Sequence, residues 1–154
     1  MLRNDIEVER NENVVIMKAY TDLEQSKKLA EILPIEGADM CWTNHCYGSI
    51  RSSMTVSSKT IEEYKELLTR FGDLTNIDVF YPCWSLASLL NYLREIDFFP
   101  NIEANEFSVT MNVCYYDKNE GKVLTPVHEI KVEAESFVDA CYELILKLNE
   151  IKMI

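Results

Sequence analysis

The chain has 154 residues, of which 47% are hydrophobic and 27% charged, with only four glycines and four prolines. That composition fits a folded domain with a real core and excludes a disordered or fibrous chain. A net charge of −11 repels phosphate backbones and anionic lipid, so direct nucleic-acid or membrane-surface binding is disfavoured while a basic partner is permitted.

No apolar run has the length of a membrane span, and the first residues carry no apolar stretch of signal-peptide type. The expected location is therefore the cytoplasm. The five cysteines, Cys41, Cys46, Cys83, Cys114 and Cys141, are odd in number and irregular in spacing, as reduced thiols would be. Cys114 and Cys141 stand inside apolar patterns and are expected as small core residues.

In chain order, residues 1–12 are polar and are expected to be flexible, leaving 13–154 as a single α+β domain. Val14 to Met17 reads as a short buried strand. Thr21 with Glu24 has the spacing of a capping box, so a helix is expected from there to Leu33, stopped by Pro34. Met40 to Trp42 and Ile50 to Val56 read as two strands around a turn at Gly48. Thr60 with Glu63 forms a second capping box. Ile61, Tyr64, Leu67, Leu68 and Phe71 then give one apolar helical face, with Gly72 as its stop. Ile77 to Tyr81 reads as strand. Pro82 to Ser85 turns into a third helix with Leu86, Leu89, Leu90 and Leu93 buried and Trp84 packed beneath.

The last third has the clearest pattern. Phe107, Val109, Met111, Val113 and Tyr115 alternate with Ser108, Thr110, Asn112, Cys114 and Tyr116, the period of a half-buried strand. A turn over Asp117 to Gly121 leads to a return strand from about Val127 to Val132. Ser136 with Asp139 caps a long final helix lined by Phe137, Ala140, Cys141, Leu144, Leu148 and Ile151. The fold expected is α+β: an antiparallel sheet of about four to five strands, about four helices, and a C-terminal β-hairpin followed by a long amphipathic helix.

Reactive side chains are densest from Cys41 to Cys46. Two thiolates and an imidazole are zinc ligands, but a second paired cluster is missing. Cys46 beside His45, or Cys83 before a helix, has the chemistry of a nucleophile if its pKa is lowered, yet no base is placed against it. Trp42, His45, Cys46 and Tyr47 are the candidate binding surface, since Trp and Tyr favour binding hot spots. No glycine-rich phosphate loop, nucleophile elbow or metalloprotease motif occurs. No catalytic residue, cofactor or metal is therefore assigned.

Three stretches carry a resemblance. They are Tyr20 to Pro34 with Ala38-Asp39-Met40, then Pro82-Cys83-Trp84-Ser85-Leu86-Ala87-Ser88-Leu89-Leu90, and Val138-Asp139-Ala140-Cys141 leading into Leu146-Lys147-Leu148. In this order they resemble a group of short uncharacterised proteins encoded in prophages and other mobile elements of gut bacteria. The resemblance implies a genetic context and no mechanism. The expected function is a non-enzymatic accessory binding protein acting on a host or phage protein. Two alternatives stand: a small enzyme or metal-binding protein with a site near Trp42, His45, Cys46 and Cys83, and a homo-oligomeric, self-assembling protein built on a broad apolar stripe that adds Val138, Tyr142 and Ile145 on the last helix.

Overall fold

In the computed structural model, which describes residues 18–44, 46–47, 50–51, 53–71, 80–116 and 126–154, the first helix, α1 (Leu23–Leu29), starts one residue later than its hydroxyl suggests. Asp22 is the N-cap and Gln25 completes the box. Thr21 is fully buried and occupied elsewhere: its hydroxyl meets Ser26 Oγ at 2.7 Å and accepts from the Trp84 amide at 3.2 Å. The helix ends at Leu29, and turns continue to Leu33, whose amide still bonds Leu29. A single 3₁₀ turn, Ile35–Gly37, follows Pro34.

Among the described residues the strands divide between two three-stranded antiparallel sheets and one two-stranded ribbon, instead of one sheet of four to five strands. The first sheet has β1 (Met40–Thr43) between β4 (Thr55–Ser57) and β5 (Phe80–Cys83). The ribbon pairs β2 (Cys46–Tyr47) with β3 (Ile50–Arg51). Helix α2 (Ile61–Phe71) lies between β4 and β5 in the chain. Its capping box forms as spaced, with Thr60 N donating to Glu63 at 2.9 Å and Glu63 N to Thr60 at 3.2 Å. The expected strand at 14–17, the turn at Gly48, the stop at Gly72 and the turn over 117–121 lie outside the described residues.

Helix α3 (Leu86–Glu95) is capped by Ser85 and buries Leu89 and Leu93. The second sheet runs β6 (Asn101–Ala104), β7 (Val109–Tyr116), β8 (Pro126–Ala134), and leads into α4 (Phe137–Glu150), capped by Ser136. This is the expected hairpin and amphipathic helix. Val109, Met111 and Val113 of β7 and Ile130 and Val132 of β8 face α3 and α4, where Val138, Cys141, Leu144, Ile145 and Leu148 close one continuous core with Leu29, Leu33 and Trp84. Each such side chain contributes about 1.5–3 kcal/mol of burial. Val138 and Ile145 are thus covered within the chain, and Tyr142 of the same stripe packs partly buried against this core.

Cys114, Phe107 and Ile151 depart from expectation, as does Leu67 on the apolar face of α2, which is 38% exposed. Cys114 is exposed, because strand parity puts it with Thr110 and Asn112 on the sheet face away from the helices. Phe107 lies in the turn before β7 and is 64% exposed. Ile151 is the C-cap of α4 and half exposed.

Candidate functional site

The structure gives Trp42 a packing role. Its indole N–H donates to Ser26 Oγ at 3.1 Å and to the Thr21 carbonyl at 3.3 Å, and its ring meets Tyr20 edge-on at 6.1 Å. Trp42 thereby ties β1 to the start of α1. His45 lies outside the described residues, as do the side chains of Cys46, Tyr47 and His128. Cys83 is fully buried in β5 and precedes the α3 cap by two residues, so no helix dipole activates it. Burial pushes its thiol up, against hydrogen bonds from Thr21, Ser26 and Trp42. Cys41 is likewise buried and pushed up to about 11, first by burial and then by the neighbouring Cys83. Neither thiol has the lowered pKa that a nucleophile needs. Among the described residues no group of three His, Cys, Asp or Glu could hold a metal. No helix there is long and apolar enough to cross a membrane.

Polar residues elsewhere are committed to joining elements. Lys18 reaches Asp22 at 3.0 Å, Gln25 at 2.7 Å and Asp139 at 2.7 Å, and Ser136 donates to Asp139 at 2.6 Å. This network locks the N-terminal caps of α1 and α4 together. Asp39 accepts from the Ser85 amide at 2.9 Å and from the Ser85 hydroxyl. Burial alone would raise the Asp39 carboxyl; these bonds outweigh it and hold it below the usual range. The Ser85 hydroxyl serves as an α3 cap, accepting from Ser88 at 3.2 Å.

Among the described residues, the β6 edge is a surface with unspent binding capacity. Among the described residues β6 pairs only with β7, in the register Asn101↔Asn112 to Ala104↔Val109. All four of its residues are exposed. An edge strand leaves alternate backbone N–H and C=O groups aimed outward, ready for another strand. Around it stand three large exposed apolar side chains: Phe99 at 67%, Ile102 at 37% and Phe107 at 64%.

Local bonding fixes this edge at both ends. Helix α3 closes with Phe98 N on Leu93 O at 2.8 Å and Asp97 N on Arg94 O at 3.1 Å, with Asp97 at φ 63°. That is a Schellman motif, and buried Phe98 anchors it beside Leu93. At the other end Asn105 Oδ1 accepts from the amides of Phe107 and Ser108, both at 2.8 Å, and Asn105 N donates to Ser108 O at 3.0 Å. Asn side chains stabilise turns by such local bonds. Phe99 and Phe107 are thus presented on fixed turns. From residue 95 to 108 the chain carries Glu95, Asp97, Glu103 and Glu106 and no basic residue. The opposite edge strand, β8, has its Lys131 carbonyl taken by Lys147 of α4 at 3.0 Å.

Sequence reasoning passed over β6. Pro100 followed by Ile102 and Ala104 alternating with Asn101 and Glu103 was its only signal, and four residues are too few for periodicity to stand out. No family model matches the chain, and no curated protein or solved structure matches it.

Proposed function

We propose that this chain is a non-enzymatic binding protein of a phage or other mobile element, which captures an extended, basic segment of a host or phage protein as an added strand on β6. The observation that carries the reading is the exposed edge strand between Phe99 and Phe107. Strand addition draws affinity from main-chain hydrogen bonds and specificity from alternate side chains. Here Ile102 and the two phenylalanines offer apolar contacts, and the four carboxylates select a cationic segment. A second copy is a poorer occupant, because it would bring the same carboxylates against each other. The mobile-element context comes from the sequence resemblance.

Photo-crosslinking in the producing cell tests this. With p-benzoylphenylalanine in place of Phe107, we expect an adduct whose attached peptide is basic and lacks helical periodicity. The same residue at Ile35, also exposed but on the turn after α1, should give none. Equal labelling at both positions, or none at position 107, would overturn the reading.

A further inference from the structure

We infer that the cavity beside β6 is a socket for one arginine side chain of the added segment; this rests on the edge-strand reading above. The cavity measures about 380 Å³ and is lined by Asp97, Phe99, Asn101, Asn112 and Cys114. Asn101 and Asn112 are cross-strand partners on the open face of the sheet, while Asp97 and Phe99 belong to the chain leaving α3. The socket therefore lies where an added strand would pass the start of β6. Its volume is at the low end for ligand pockets and suits one side chain.

The lining specifies a donor with positive charge. Asn112 Nδ2 donates to the Glu129 carboxylate, and since a carboxylate accepts only, the orientation of the amide is set. That leaves Asn112 Oδ1 as a buried acceptor, with no hydrogen-bond partner among the described residues. An unsatisfied buried acceptor is costly, and an incoming N–H recovers the loss. Asp97 adds a carboxylate to the lining, and Phe99 adds a largely exposed ring. A guanidinium answers all three at once: it donates through a planar fork, it carries charge, and it stacks on an aromatic face. An ammonium donates and carries charge but cannot stack as a plane.

The test uses the full chain, isotopically labelled, with three probes followed by amide spectra. These are N-acetylarginine amide, a capped hexapeptide of alternating valine and arginine, and that hexapeptide with citrulline for arginine. Both arginine probes should saturably shift the Asn112 side-chain amide and the Phe99 amide. The arginine hexapeptide should also shift Asn101–Ala104. Citrulline should weaken it about tenfold or more, and Asp97→Asn about tenfold, as expected for loss of one charge-assisted contact. Asparagine tolerates the left-handed backbone at this position, so the variant should fold. If the hexapeptide shifts β6 but leaves Asn112 still, and Asp97→Asn changes nothing, the socket is overturned while the edge-strand reading stands. If single arginine shifts Asn112 but no peptide shifts β6, the edge-strand reading fails and the socket's tie to β6 fails with it. Equal affinity for a lysine hexapeptide would overturn the guanidinium assignment.

Discussion

Among the described residues two, Asp97 and Lys152, take positive φ without being glycine, at 63° and 58°. Both occupy the left-handed position that ends a helix, and at Lys152 the same pair of bonds recurs: Met153 N to Leu148 O at 2.9 Å and Lys152 N to Asn149 O at 3.0 Å. An L side chain pays about 1 kcal/mol there that glycine does not. Lys152→Gly should therefore stabilise the chain by roughly that amount, read from urea midpoints. A loss of stability would mean that the lysine side chain makes up for its backbone. Thr21 teaches the complementary lesson: its spacing to Glu24 suits a cap, but burial between α1 and Trp84 claims its hydroxyl first.

At the scale of elements, the joined caps of α1 and α4 predict a pH dependence. Burial would raise the Asp139 carboxyl, but hydrogen bonds from Lys18, Ser136 and Gln25 outweigh it and hold it below the usual range. Asp22 is lowered in the same way, with burial opposing and Gln25 and Lys18 prevailing. Burial would lower the Lys18 ammonium, but Asp139 and Asp22 hold it above its ordinary value. A carboxyl depressed by folding stabilises fully above its unfolded pKa, near pH 4, and loses that contribution as pH falls through the folded value. The Lys18 contribution is whole below its unfolded pKa, near 10.4, and is lost as pH rises through its folded value. Asp139→Asn should thus destabilise the protein at pH 7 and narrow its gap to the parent at pH 3. A gap of equal size at both pH values would show that the carboxylate's charge contributes nothing.

For the whole molecule the governing quantity is the charge of −11. Self-repulsion of that order destabilises a compact state, and salt screens it over about 8 Å at physiological ionic strength. The exposed pairs Lys27–Glu24 and Lys28–Glu31 contribute little that screening could remove. Raising sodium chloride from about 10 to 150 mM should therefore raise the thermal midpoint. A falling midpoint would place local ion pairs above net repulsion. The same field would steer the proposed cationic segment toward the β6 edge, so association there should slow as salt rises.

Local sequence sets what lies within a few residues of contour: the caps at Thr60 and Ser136, the stripes of α3 and α4, and the β7–β8 hairpin. Helix and strand periods are local properties, and capping hydrogen bonds span three residues. Tertiary structure decided everything that depends on which neighbour a segment finds. It divided the strands into two sheets and a ribbon, because alternation says that a strand has two faces but names no partner. It put Cys114 outside and Cys83 inside, because parity and packing set exposure and a thiol's identity does not. It tied the Trp42 indole to Ser26 and the Thr21 carbonyl at the start of α1. Among the described residues it also left β6 at an edge, where a four-residue strand with a faint pattern gains backbone groups facing outward and a phenylalanine near each end.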